Sequence, residues 1–453
     1  MERVDRQPRR VAILGAAGRD FHNFNMLFRD DPGTVVVAFT AAQIPGIAGR
    51  RYPAALAGPR YPDGIPIVDA GELEALCRRE RVDEAMFAYS DVTHADVMHQ
   101  ASRALACGAD FVLAGPARTM IAMAVPVVAV SAVRTGCGKS QTARHLARHL
   151  RTRGRRVAVL RHPMPYGDLA RQAVQRFASR ADLEAAACTI EEREEYEPHI
   201  AAGGIVFAGV DYRAVAAAAE READVALWDG GNNDFPFLRP DLHIVVADAL
   251  RADQLTTHHP GEAVLRMADI VVVNKTDAAP PGTFERMAAA IRALVPEAVI
   301  VRAASPSVLD DPARVRGKRA IVVEDGPTIT HGGMRDGAGI AALRGLPGVT
   351  LVDPRDSAAP LIRKVYEAYP HIGRVLPAMG YSDEQRAALR ETIDASAADV
   401  VVSATPIDLA ALIAPAKPVV RVRYDYADAG EPRLADLVDA FLARPRAQAG
   451  ARP

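Results

Sequence analysis

Apolar residues in this chain recur as short, mostly β-branched runs, separated by stretches in which they fall every three or four positions. Residues 11–14, 35–39, 84–89 and 111–114 read as strands, with helical periodicity over 71–81 and 95–106 between them. A second series of runs lies at 127–132, 155–160, 225–229, 242–248, 270–274, 299–303 and 320–323, and a third at 349–352, 374–377, 399–403 and 419–422. Strands that alternate with helical patterns predict parallel sheets with helices on their faces. The expected fold class is therefore α/β, in three parts: an N-terminal Rossmann-like domain over 1–125, a central nucleotide-binding core with a mostly parallel sheet over 126–345, and a C-terminal α/β segment over 346–453 with a frayed Pro/Ala/Arg-rich tail.

The core earns its description from one junction. The apolar run Val127–Ala132 feeds Val133-Arg134-Thr135-Gly136-Cys137-Gly138-Lys139-Ser140, after which a helix is expected over 141–151. In such a turn, backbone N–H groups surround a phosphate, the lysine reaches the outer phosphoryl oxygens and the serine hydroxyl meets Mg2+. This predicts a P-loop NTPase in which Thr135, Gly136, Cys137, Gly138, Lys139 and Ser140 bind nucleotide, although Val133 stands where the first glycine of the pattern usually lies. A later apolar strand ends in Trp228-Asp229-Gly230-Gly231. Its carboxylate is placed to hold Mg2+ with Ser140, while Lys139, Arg134 and Asp229 form the expected catalytic set. Asn274-Lys275-Thr276-Asp277 closes another strand and suits recognition of a purine base, with ATP expected and GTP possible.

Other polar stretches are less specific. The turn Gly15-Ala16-Ala17-Gly18 leads into Arg19, His22 and Asn23, where a helix start receives anions, and Arg161-His162 ends a strand at the edge where parallel sheets bind ligands. Arg19, Arg161 and His162 are thus candidate substrate contacts, joined by Thr330 and His331 beside Gly332-Gly333. The run Ile190-Glu191-Glu192-Arg193-Glu194-Glu195-Tyr196-Glu197 reads first as a solvated helix face, with a role near a metal as the alternative. His258-His259 is read within a helix, where neighbours face apart, and so not as a metal pair.

Composition narrows the field. The chain of 453 residues is too long for a single core, and its formal net charge of −1 gives no electrostatic case for nucleic acid or an anionic membrane. Four scattered cysteines (Cys77, Cys107, Cys137, Cys188) fit a reducing cytoplasm better than a disulfide framework or a cysteine zinc site. No run approaches a membrane span, and residues 1–10 lack a signal-peptide core, so a cytoplasmic location is expected.

Taken together, Arg161-His162-Pro163-Met164-Pro165-Tyr166-Gly167-Asp168-Leu169, Glu191 to Glu197, Trp228 to Asp234, Val323-Glu324-Asp325-Gly326-Pro327 with His331-Gly332-Gly333, and Leu376-Pro377-Ala378-Met379-Gly380-Tyr381 resemble the cyclic 2,3-diphosphoglycerate synthetase family over essentially the whole chain. That family is similar to the dethiobiotin synthetase class of P-loop proteins. The resemblance implies an ATP-dependent ligase using Mg2+ and K+, a homodimer, and closure of a phosphorylated small-molecule acid into a cyclic phosphoanhydride with release of ADP and phosphate. A GTP-hydrolysing switch or metallochaperone of the same P-loop class, or a nucleotide sensor, would share the P-loop but not that chemistry.

Overall fold

The computed structural model describes residues 7–42, 47–161, 167–230, 234–330, 332–378 and 382–444. Three sheets organise them. The N-terminal sheet runs in the order Arg51–Tyr52, Ile65–Asp69, Thr34–Ala41, Arg9–Leu14, Glu84–Phe87, Asp110–Leu113, parallel except for its first short edge strand.

The central sheet has nine strands: Gln175–Phe177, Ile205–Ala208, Val157–Arg161, Val225–Asp229, Val127–Ala132, Leu242–Asp248, Ile270–Asn274, Val299–Ala304 and Ala427–Asp428. Only its two edge strands are antiparallel. The five central strands, Val157–Arg161 to Ile270–Asn274 in this order, are buried along their whole length, which explains why they read as continuous apolar runs rather than as alternating ones. This order sets the strands that end in Arg161 and Asp229 side by side and next to the strand that feeds the P-loop. Three segments far apart in sequence therefore present their carboxyl ends to one place.

The third sheet comprises Ser307–Leu309, Val419–Tyr424, Val400–Ala404, Arg319–Glu324 and Thr350–Leu351, with Leu376–Pro377 also paired to Arg319–Glu324. Here the expected division at 345 does not coincide with the sheets. Arg319–Glu324, assigned from sequence to the nucleotide core, is an inner strand of the third sheet, and Ala427–Asp428 and the helix Leu434–Leu442 return to the central layer. Periodicity identifies such strands but carries no information on which sheet they join.

A two-stranded ribbon, Val92–Thr93 against His258–His259, ties the N-terminal unit to the centre, so the histidine pair is extended and not helical. Beside it, Arg19 is buried at the seam: its guanidinium lies 3.0 Å from Asp234 and stacks over the Phe237 ring at 4.2 Å. Among the described residues no helix is long and apolar enough to cross a membrane.

Candidate functional site

The P-loop is a strand–turn–helix in which Val127–Ala132 leads to the helix Lys139–Thr152. Gly136 and Gly138 sit at φ +81° and +102°, in the left-handed region that residues with a Cβ avoid. A Cβ on Gly138 would also lie 2.1 Å from the Asn274 side chain. Gly138 caps the helix without offering a side-chain acceptor, so the first-turn amides keep their donors for a ligand.

The loop is braced from behind. Asn274 Nδ2 donates to the Cys137 carbonyl at 3.0 Å, and Lys275 Nζ donates to the Gly136 carbonyl at 2.6 Å while pairing with Asp248 at 2.7 Å. Arg251 donates to the Thr135 carbonyl at 2.7 Å. Asp277 accepts from the Ser305 amide at 3.0 Å, beyond the strand end. In this geometry Asn274 and Lys275 shape the phosphate cradle, and Asp277 of the same four-residue stretch faces the loop that follows the next strand.

At the centre is a buried charge cluster. Lys139 Nζ lies 2.5 Å from Asp229 Oδ1, while Asp229 Oδ2 meets Arg161 and lies 3.4 Å from His199 Nε2. Burial by itself would raise the Asp229 carboxyl, but Arg161 and Lys139 outweigh it and hold the group well below the usual carboxylate range. Burial also lowers Lys139, with Asp229 acting against the shift. Arg161 pairs as well with Glu195, whose other contact is the Ser140 hydroxyl at 3.4 Å. Arg134 is held by Asp91 of the N-terminal unit at 2.6 Å.

Beside Lys139 and Ser140 opens a cavity of about 120 Å³ lined by Thr135, Arg144, Glu194, Glu195, Asp325 and Tyr424, among others. It adjoins the first-turn amides, where a phosphoryl group with its metal would lie. The hydroxyl of Thr135 is buried there without a partner. The unsatisfied hydroxyl, the uncapped amides and the serine at the first turn fit a Mg2+-bound triphosphate. Such a metal would be held by Ser140 and the phosphates, and would reach Asp229 once Lys139 turned towards the nucleotide. Among the described residues no three His, Cys, Asp or Glu side chains form a preassembled metal site.

The structure thus gathers Arg134, Thr135, Gly136, Gly138, Lys139 and Ser140 around one cavity, with Asp229 and Arg161 adjoining through Lys139 and Glu195. Arg19 lies instead in the Asp234 seam, and Thr330 is buried with its hydroxyl on the Gly326 carbonyl at 2.8 Å. His162 and His331 fall outside the described residues. The carboxylates at the cavity include Glu194 and Glu195 of the run that the sequence reads first as a solvated helix face, with a role near a metal as the alternative. The helix Ile190–Ala201 is not a solvated face: Glu192, Glu194, Glu197 and His199 are all buried. Acidic residues at successive positions cover every side of a helix, a signal that some had to point inwards once both flanks were covered.

Comparison with known proteins adds the family. A profile described as CobW/HypB/UreG, nucleotide-binding domain, matches residues 222–302. Among solved structures, the chain is similar to LpxK from Aquifex aeolicus in complex with ATP (16% identity, 71% of this chain and 90% of that one, TM-score 0.41). It is similar also to the hydrogenase maturation factor HypB from Archaeoglobus fulgidus (17% identity, 40% and 81%, TM-score 0.26). Arginine synthetase ArcE from Thermococcus kodakarensis is 52% identical over 436 residues, covering 96% of this chain and 97% of the relative. With identity at that level along almost the whole of both sequences, the chain belongs to the family of the arginine synthetase ArcE.

Proposed function

We propose that this protein is an ATP-dependent synthetase that builds the guanidinium group of arginine. The observation that carries the reading is the set of carboxylates in the cavity beside Lys139, where Glu194, Glu195 and Asp325 face the phosphate cradle across from Arg134 and Arg144. Carboxylates suit a substrate that gains a cation. The name of the full-length relative, arginine synthetase, supports the same product.

Arginine differs from its ureido counterpart, citrulline, by a nitrogen in place of oxygen. Urea oxygen is a poor leaving group, and transfer of the γ-phosphoryl of ATP to it makes phosphate the leaving group. Ammonia then displaces that phosphate, giving arginine, ADP and inorganic phosphate. In this scheme Lys139 and the amides of 136–140 hold the transferring phosphates, and Ser140 holds Mg2+, which neutralises phosphate charge when bound. Asp229 keeps Lys139 and Arg161 aligned until nucleotide arrives.

Closure of 2,3-diphosphoglycerate into its cyclic phosphoanhydride, with Mg2+ and K+, is the second reading, favoured by Arg134 and Arg144 at the cavity. It meets a charge difficulty. Arg134 is engaged by Asp91, and Arg161 by Asp229 and Glu195, so that of these arginines Arg144 alone stands outside such pairs for a second polyanion. The match to a CobW/HypB/UreG domain keeps GTP in view as the nucleotide, and a homodimer is part of the proposal.

The test offers ATP or GTP with Mg2+, and either citrulline plus ammonium or 2,3-diphosphoglycerate, following ADP or GDP, arginine by mass spectrometry and new phosphoanhydride by ³¹P NMR. Nucleotide turnover that depends on citrulline and ammonium and yields equimolar arginine is expected. A phosphoanhydride signal without arginine would reverse the two readings.

A further inference from the structure

Two segments distant in sequence bring a pair of carboxyl groups into the cavity. Glu194 comes from the helix Ile190–Ala201, and Asp325 follows the strand Arg319–Glu324 of the third sheet. The two are hydrogen-bonded to each other. Thr405 Oγ1 donates to Glu194 at 2.9 Å, and the Thr328 hydroxyl and amide both donate to Asp325, so each carboxyl is fixed by the third sheet. Carboxyls in contact share one proton instead of both ionising. Burial raises the Asp325 carboxyl above its usual range, so the pair is able to take up a proton. The space beside the pair is one that a ligand enters: Thr135, 8% exposed, lines this cavity with a buried hydroxyl that has no partner.

We infer that Glu194 and Asp325 receive the nitrogen donor as ammonium, take one proton from it, and release neutral ammonia towards the carbon activated at the P-loop. This rests on the arginine-forming reading. In the step, an N–H bond of ammonium breaks and its proton lodges on the carboxyl pair, later leaving to solvent. The nitrogen lone pair forms the C–N bond to the phosphorylated ureido carbon. The C–O bond then breaks with its electron pair on the departing phosphate, which takes one proton from the new nitrogen, and the remaining protons stay on the guanidinium. The pair also explains why a carboxyl-rich wall stands against a phosphate site: it selects a small cation at the point where a second anion would be repelled.

The experiment compares the whole protein with its Glu194→Gln and Asp325→Asn variants, using ammonium or hydroxylamine as the nitrogen donor with citrulline and ATP. Hydroxylamine is neutral at neutral pH and needs neither cation binding nor deprotonation. Each substitution is expected to raise the KM for ammonium by about 10–100-fold, the loss of one charge-assisted contact, with the KM for ATP and hydroxylamine-dependent ADP release little changed. Equal loss with both donors, or an unchanged KM for ammonium, overturns the inference while leaving the synthetase reading intact. A wild-type protein that forms no arginine overturns both. The two carboxyls lie on different segments, so one variant that folds, judged by circular dichroism and its KM for ATP, is enough to decide.

Discussion

The ammonium of Lys139 lies 2.5 Å from Oδ1 of Asp229, and the other oxygen of that carboxylate is taken by Arg161. The P-loop lysine is thereby held in place by a buried anion, and the anion carries two cations at once. Removing either member tests a different half of the arrangement.

Lys139→Ala leaves Asp229 paired with Arg161 and His199, so the fold is expected to persist while citrulline-dependent ADP release falls at least about a hundredfold, the scale of losing a preorganised charge at a transferring group. Asp229→Asn leaves two buried cations facing each other and is expected to cost about 3–5 kcal/mol in urea unfolding. The Asp229 carboxyl is held well below its usual range, so its contribution is present above the ordinary carboxylate value and lost as pH falls through the depressed one. The variant should therefore approach the wild type in strong acid. Turnover retained in the lysine variant would dismiss the P-loop assignment.

Asp20 works with the opposite sign. Burial pushes its carboxyl up from 3.8 to about 7, against the pull of the Ala17 and Phe21 amides, both of which donate to Oδ1 at 2.7 Å. A raised carboxyl supports the fold fully below the ordinary value, and that support is lost as pH climbs through the folded value. Asp20→Asn keeps the acceptor oxygen but cannot ionise. Unfolding free energies measured from pH 4 to 8 should decline with pH in the wild type by at most about 4 kcal/mol and more shallowly in the variant. Parallel profiles would remove Asp20 as the cause.

Arg19 distinguishes a seam from a substrate contact. Its partners are Asp234, the Phe235 carbonyl and the Phe237 ring in the central unit, with the Thr119 hydroxyl at 3.3 Å in the N-terminal one. Arg19→Ala strands the Asp234 carboxylate and is expected to cost about 3–5 kcal/mol, lowering the urea midpoint without a selective rise in any KM. A rise in the KM for citrulline with unchanged stability would instead return Arg19 to the substrate side, as its place after the Gly15 turn suggests from sequence.

Much of this molecule is legible in one dimension because its inner strands are buried on both faces. Val127–Ala132, Leu242–Asp248 and Ile270–Asn274 have to be apolar throughout, and the P-loop has to place glycines where φ is positive. The sequence by itself therefore determined the α/β class, the phosphate cradle and the carboxylate at the end of the strand Val225–Asp229. What it could not determine is partnership. Arg161 and Arg19 are equally strand-end or helix-start cations in the chain, yet one enters the charge cluster and the other closes a seam. Likewise the carboxylates of 190–197 resemble a wetted surface until a helix is covered on several sides. Which charges meet depends on strand order and on the third sheet packing against the second. Those contacts span 68 residues from Arg161 to Asp229 and 211 from Glu194 to Thr405, separations at which local pattern carries no signal and only the assembled layers decide.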